Sequence, residues 1–261
     1  MDDVTRVEWR EWGSAAFSEA AAADAPILLS LTATWCDHCH EMDAETYAEP
    51  RIAANVNDGF VPVRIDADRR PRVRDRYTVG GFPSTVFLAP DGRILSGAGY
   101  LDPDSMREAI DSVRSAWRST GADGAQTPNP LQSPETPRGT LNSDVERRML
   151  VAAQATFDAA YGGWGGGPKF PQPDAIEFAL KRDRSLALRA LDAIEGSLFD
   201  PSTGGFSRYA SERDWSGVRR EKLLDVNASM LRAFANAYLY TGADRYRTTA
   251  DRTVAFLTAR L

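Results

Sequence analysis

Thr34-Trp35-Cys36-Asp37-His38-Cys39-His40-Glu41-Met42 is the stretch on which the reading of this chain turns. It holds both cysteines and both histidines of a 261-residue sequence. Cys-x-x-Cys is open to four readings. Thiol–disulfide exchange uses that spacing at the start of a helix. Metal binding would draw on Cys36, Cys39 and His40, which share one helical face at i, i+3 and i+4. Haem attachment matches Cys-x-x-Cys-His, and a buried pair without chemistry is the fourth. The spacing alone does not choose among them, so the flanks must.

Working outward, Pro26-Ile-Leu-Leu-Ser-Leu-Thr32 before the motif is a short apolar run led by proline, the pattern of a buried strand. After it, Glu41 to Asn57 is helical in composition, with Pro50 as a kink or restart. Phe60 to Asp66 reads as a second strand and Pro71 to Tyr77 as a short helix. Val79-Gly80-Gly81-Phe82-Pro83-Ser84 then opens the strand Thr85–Ala89, and Pro90-Asp91-Gly92-Arg93 is a hairpin turn leading to Ile94-Leu95. Asp102-Pro103 starts a helix with Met106, Ile110, Val113 and Trp117 on one face. With a helix over Ala15–Ala23, the predicted order is αβαβαββα.

That order, with Trp35-Cys36-x-x-Cys39 after the first core strand, resembles the thioredoxin fold across residues 1–118. Pro83 lies 44 residues past Cys39, where that fold carries its cis-proline just before the hairpin strands. The resemblance implies thiol–disulfide exchange. Cys36 would be the exposed nucleophile at a helix N-terminus, where unpaired N–H groups favour a thiolate. Cys39, one turn further in, would be the buried resolving thiol. His38 lies between them, and as an imidazolium it would add to the stabilisation that Asp37 opposes. Trp35, Phe82 and Pro83 would meet the substrate, with the Phe82 backbone pairing to an extended peptide. Many thioredoxins carry a buried carboxylate six residues before the first cysteine; here that place is Ser30, with Asp66 or Asp68 as substitutes.

Residues 119–140 hold four prolines and one large aliphatic residue, Leu131, the composition of a linker. Beyond it, Ser143-x-x-Glu146 matches a capping box opening a helix to about Ala160. Four more helical segments follow, Asp174–Lys181, Arg184–Leu198, Glu221–Tyr240 and Asp244–Leu261. No strand pattern appears, so residues 141–261 are predicted all-α. The segment Glu221–Tyr240 is apolar nearly all round, which predicts burial on both sides. Phe157-Asp158-x-x-x-Gly162-Gly163-Trp164 recurs 42 residues later as Phe199-Asp200-x-x-x-Gly204-Gly205-Phe206, a weak repeat of helical hairpins.

Gly162-Gly163-Trp164-Gly165-Gly166-Gly167-Pro168-Lys169-Phe170-Pro171 resembles the Gly-Gly-Phe-Gly-x-x-Pro-Lys-Phe-Pro signature of the spermatogenesis-associated protein 20 family. Cys39-His40-x-Met42, Gly204-Gly205-Phe206-x-Arg208-Tyr209, Trp215 and Glu221-Lys222-x-Leu224 extend the resemblance along nearly the whole chain. That family joins a thioredoxin-like domain to an (α/α)6 toroid similar to sugar epimerases and glycosidases. The resemblance therefore implies a partial toroid, whose open edge a partner or a further segment would cover. The family's Pro-His-Phe is replaced here by Val218-Arg219-Arg220, removing a pocket histidine. Lys169 is expected at helix ends rather than in catalysis, and the glycine-rich stretch lacks the Gly-Lys-Ser/Thr of a phosphate loop.

Composition narrows the partners. Net charge is −6, which discourages nucleic acid and anionic membranes as partners. Arginine outnumbers lysine 28 to 3, a bias read as a property of the host. The start Met1-Asp2-Asp3-Val4 lacks the basic and apolar regions of a secretion signal, and no apolar run approaches the ~20 residues that span a bilayer. These features predict a cytoplasmic protein, argue against haem, and make a purely structural disulfide out of place. Dithiol exchange on a protein or small-molecule disulfide, recharged by an upstream reductant and needing neither metal nor cofactor, is the leading expectation. A sugar-active helical half using Asp158, Asp200, Asp214 or Glu221 as acid or base, and a non-catalytic partner-binding scaffold, are the alternatives.

Overall fold

The structure, a computed structural model, describes residues 6–128 and 142–260. The chain divides into two compact units, Met1–Pro137 and Arg138–Leu261.

The first unit runs β1 (Arg10–Glu11), α1 (Ser14–Ala23), β2 (Ile27–Thr32), α2 (Asp37–Met42), a π-helical turn (Asp43–Tyr47), α3 (Pro50–Gly59) and β3 (Val61–Asp66). It continues with α4 (Pro71–Tyr77), β4 (Ser84–Leu88), β5 (Ile94–Ala98) and α5 (Pro103–Thr120). One sheet results, ordered β1-β3-β2-β4-β5, in which β1, β3 and β2 are parallel and the β2–β4 and β4–β5 pairs antiparallel. This is the thioredoxin arrangement.

Strand β2 shows why its sequence lacks alternation. Successive side chains point to opposite faces. Leu29 and Leu31 join Ala16, Ala20, Val63 and Tyr77 on the side of α1 and α4. Leu28 instead meets Met42, Tyr47, Ile52, Phe87 and Ile110 on the side of α3 and α5. A strand covered on both faces is apolar at most positions, and in β2 the buried exception is Ser30.

Three features depart from the sequence reading. Arg10–Glu11 forms an edge strand beside Val63 and Arg64, too short and polar to leave a periodic signal. The helix after the cysteines starts at Asp37, passes through the π turn, and restarts at Pro50, whose missing N–H costs nothing at a first helical position. The first domain also continues past residue 118. Helix α5 reaches Thr120, a 3-10 turn spans Gly121–Gly124, and Gln126 and Ile94 exchange two N–H···O bonds of 2.7 Å. Backbone bonding of this kind needs no apolar side chains, so the composition concealed it. The rest of the predicted linker, 129–140, lies outside the described residues.

The second unit contains α6 (Ser143–Thr156), α7 (Pro173–Leu180), α8 (Arg184–Leu198), α9 (Leu224–Thr241) and α10 (Asp244–Arg260). Helices α7–α10 pack around a core that includes Ile176, Leu191, Ile194, Phe206, Met230 and Phe234, whereas α6 buries none of its residues. The unit is helical but not purely so: β6 (Tyr209–Ala210) pairs with β7 (Val218–Arg219) in a two-residue ribbon. Helix α6 is capped by Asn142, which accepts the Asp144 N–H at 3.1 Å, rather than by the predicted Ser143. Helix α9 buries one stripe (Asn227, Met230, Ala233, Phe234, Ala237) and leaves Leu224 and Leu239 60% and 77% exposed, so the expected two-sided burial is not found.

The sequence repeat is a structural repeat. Phe157 and Phe199 each end a helix and bridge across a tight loop to Trp164 and Phe206. In each loop the aspartate N–H donates to the second glycine's carbonyl, at 2.8 Å for Asp158 and 3.0 Å for Asp200.

Candidate active site

Three loops converge at the C-terminal ends of β2 and β3. Residues 33–36 leave β2, residues 67–70 leave β3, and residues 79–83 enter β4. Ala67 N–H donates to Thr32 C=O at 2.8 Å, tying the first two together. Trp35 Nε1 donates to Asp68 Oδ2 at 2.8 Å. The Trp35 ring meets Phe82 edge-on, with centroids 5.5 Å apart. The third loop is held by Ser84, whose Oγ accepts the Val79 N–H at 2.9 Å and donates to the Gly81 carbonyl at 2.6 Å.

Cys36 and Cys39 are joined in a disulfide with Cα atoms 5.2 Å apart. Cys36 is the N-cap of α2, and its Sγ accepts the Cys39 backbone N–H at 3.1 Å. The same N–H that caps the helix thus reaches the sulfur. Exposure is 6% for Cys36 and 2% for Cys39. The exposed Cys36 of the sequence reading is therefore corrected: Trp35 and Phe82 pack against Ala33 and both cysteines and cover most of the pair. The Phe82–Pro83 peptide bond is cis, and Pro83 is buried.

His38 is exposed, with Nδ1 3.1 Å from Glu41 Oε2 and its ring edge-on to Tyr100 at 6.0 Å. Burial, followed by the negative charges of Glu41, Glu45 and Asp102, holds the Tyr100 phenol above its usual pKa. The α2 flank of the disulfide is thus an acidic neighbourhood. The His38–Glu41 contact is an i, i+3 pair within α2 and so is local in the sequence. The place of Tyr100 had no such signal, because it depends on how α2 and a loop some 60 residues further on are brought together.

Beneath α2, Ser30 is buried and pairs in register with Thr85 on β4 and Arg64 on β3. Burial raises the Tyr47 hydroxyl pKa, opposed by the neighbouring hydroxyls of Thr85 and Ser30. Arg64 forms an ion pair with Asp43 and lies over Trp9, 4.2 Å from the ring centroid. Neither predicted substitute for the carboxylate fills the Ser30 place. Asp66 accepts the N–H groups of Asp68 and Arg69 at 2.9 and 3.4 Å, and Asp68 holds Trp35.

In the helical unit each acid considered for sugar chemistry is engaged by a neighbouring group. Asp158 accepts bonds from Arg213 and from the fully buried Lys169, which hold its carboxyl far below the usual range. Lys169 also donates to the Gly165 carbonyl at 2.7 Å, so it locks a loop rather than a helix end. Asp200 is held low in the same way by Lys222, with Ser202 and Thr203 adding bonds. Asp214 caps its own turn through Ser216, and Glu221 pairs with Arg208 at 3.3 Å. Carboxylates held as low as Asp158 and Asp200 carry no proton to donate near neutrality.

A Trp-Cys-x-x-Cys disulfide capping a helix, beside a cis-proline on a β1-β3-β2-β4-β5 sheet, defines a thioredoxin-like domain of the thiol–disulfide oxidoreductase type. Residues 2–129 match the family described as Thioredox_DsbH, protein of unknown function, DUF255. The chain belongs to the thioredoxin family, being 35% identical over 79 residues to Thioredoxin-1 of Drosophila melanogaster, of which it covers 71% while 30% of this chain is matched. It is also homologous to Spermatogenesis-associated protein 20 of Homo sapiens, at 25% identity over 292 residues and 98% of this chain. It spans 37% of that relative's length. A solved structure described as DsbH Oxidoreductase is 21% identical with a TM-score of 0.38, over 43% of this chain and 85% of that one. Among the described residues no helix is long and apolar enough to cross a membrane.

Proposed function

We propose that this protein catalyses dithiol–disulfide exchange on protein substrates, with Cys36 as nucleophile and Cys39 as resolving thiol. In the reduced protein the Cys36 thiolate attacks one sulfur of a substrate disulfide, forming a mixed disulfide and releasing the other sulfur as a thiolate. Cys39, deprotonated, then attacks Cys36 Sγ, releasing the second substrate thiolate and closing the Cys36–Cys39 disulfide. The substrate disulfide gains two electrons, the protein dithiol loses them, and an upstream dithiol reductant restores the pair. A compartment that keeps thiols reduced would favour that direction.

The observation that carries this reading is the 3.1 Å bond from the Cys39 N–H to Cys36 Sγ, with Cys36 the less deeply buried of the two residues. On reduction of the pair, the same backbone N–H faces the sulfur that attacks. Trp35 and Phe82 supply an apolar surface for the substrate chain beside the attacking sulfur. The test is reduction of a peptide disulfide by the pre-reduced protein. Turnover with a dithiol reductant, abolished by Cys36→Ser, supports the proposal. A wild-type protein that leaves the peptide oxidised refutes it.

A further inference from the structure

The surface beside the disulfide is divided by charge, and the division follows the loops already described. On the α2 side stand Asp37, Glu41 and Glu45, all exposed. On the other side, directly after the aspartate that holds Trp35, the sequence reads Arg69-Arg70-Pro71-Arg72-Val73-Arg74-Asp75-Arg76, five arginines in eight residues of a chain whose net charge is −6. Such a cluster runs against the overall charge, so the host's bias towards arginine does not account for its place.

Its members differ in what they do. Arg74 pairs with Asp75 at 2.9 Å, and Arg76 lies over the Tyr77 ring at 5.9 Å. Arg69, Arg70 and Arg72 are exposed. Among the described residues the one ion pair these three make is Arg69 with Asp66, at 3.8 Å and with 87% of the arginine side chain accessible. Asp66 already accepts two backbone N–H groups, and Asp68 is engaged by Trp35. The nearest carboxylates therefore serve the loop, and the three guanidinium groups face solvent.

We propose that Arg69, Arg70 and Arg72 form a docking surface for an acidic segment of the substrate protein, flanking the disulfide that Cys36 attacks. The proposal rests on the exchange reaction above and names its substrate class. A chain laid over Trp35 and Phe82 meets positive charge on the α4 side and negative charge on the α2 side, so one acidic flank fixes its direction. Guanidinium groups suit carboxylates because their fork of N–H donors matches the two oxygens. Exposed pairs are individually weak, and three together give a preference of about five- to tenfold at low salt.

The test uses the full chain and two fluorescein-labelled peptides, each with one disulfide. They differ only in carrying three glutamates or three glutamines on one flank. Exchange rates with the reduced protein and binding to the oxidised protein, read by anisotropy, are measured side by side. The glutamate peptide is expected to win in both assays, and the preference to vanish near 1 M NaCl, where the Debye length is ~3 Å. The combined variant Arg69→Gln, Arg70→Gln, Arg72→Gln is expected to bring the ratio of the two peptides to about one, with its thermal transition checking that it is folded. Arg118→Gln, near the Trp117 contact with Asp24 at the far end of β2, keeps the preference. Equal binding of the two peptides by the wild type, or a preference that survives the triple substitution, overturns the docking surface. Selective binding without exchange of either peptide would instead refute the exchange reaction and leave the docking surface standing.

Discussion

Asp68 Oδ2 and Trp35 Nε1 lie 2.8 Å apart, so the residue before Cys36 is anchored from the loop that follows a different strand. The bond sets how the indole is turned, and with it the surface that Trp35 and Phe82 present. Asp68→Ala removes the acceptor and is expected to lower kcat/KM for a peptide disulfide about three- to tenfold, the value of one hydrogen bond. Asp68→Asn keeps an acceptor oxygen and should recover most of the loss. A purely structural role would lower the melting temperature of both variants and leave the difference between them in kcat/KM unexplained. Steady-state kinetics of the two variants separates these outcomes.

The assignment of attacker and resolver makes an asymmetric prediction. Cys39→Ser removes the thiol that releases product, so incubation of the variant with a disulfide peptide should accumulate a covalent adduct on Cys36. Cys36→Ser should form none, because Cys39 is 2% exposed against 6% for Cys36. Intact-protein mass spectrometry before and after a reducing agent reads the adduct directly. Adducts in equal amount on both variants would reverse or erase the distinction.

How much of this was legible beforehand follows from where the information sits. The order of elements along the chain could be read because β2 and β4 are largely apolar runs, and burial on both faces leaves that mark on composition. Cys36, Cys39 and Pro83 were legible because their chemistry and spacing are local. The cover over Cys36 was not, since Trp35 and Phe82 meet across 47 positions. The Asp43–Arg64 pair was equally hidden, because an arginine in a strand reads as a solvent-facing residue until Trp9 is seen lying against it. In the helical half the repeat announced two equivalent loops. The lysines that lock them follow the aspartates by 11 and 22 residues, with no common spacing to recognise.

Those locks fix the response to acid. Arg213 and Lys169 hold the Asp158 carboxyl below its usual value, and Lys222 does the same for Asp200. An aspartate in the unfolded chain titrates near ~3.9. A depressed folded-state pKa contributes stability that is present above that value and is lost as pH falls towards the folded-state pKa. The helical unit is therefore expected to keep a flat melting temperature from about pH 7 to about pH 5 and to lose stability steadily below about pH 4. Lys222→Met removes the largest cause of the Asp200 depression and should make the acid-induced fall shallower. Thermal melts followed by circular dichroism across this range check both statements. An unchanged acid slope in the variant would mean that the lysine does not hold the carboxylate.

Gly163 and Gly205 occupy the same place in the two repeats, with φ of +71° and +75°. A Cβ at Gly163 would come within 2.8 Å of the Trp215 ring, and one at Gly205 within 2.5 Å of the Phe256 ring. Left-handed backbone costs an L-residue about 1–2 kcal/mol before any clash is counted. Both rings are buried, at 5% for Trp215 and 7% for Phe256, so neither can swing aside without opening the core. Each glycine-to-alanine substitution is expected to lower the melting temperature of the helical unit by about 5–10 °C, at ~4–8 °C per kcal/mol for a domain near 100 residues. Gly166 provides the contrast: a methyl group there would meet no atom within 4 Å, and its backbone does not adopt positive φ. Gly166→Ala should leave the transition within a few degrees of the parent, because a surface change free of strain stays within ~0.5 kcal/mol. Equal losses at all three positions would show that the loops tolerate no side chain for reasons other than backbone handedness and ring packing.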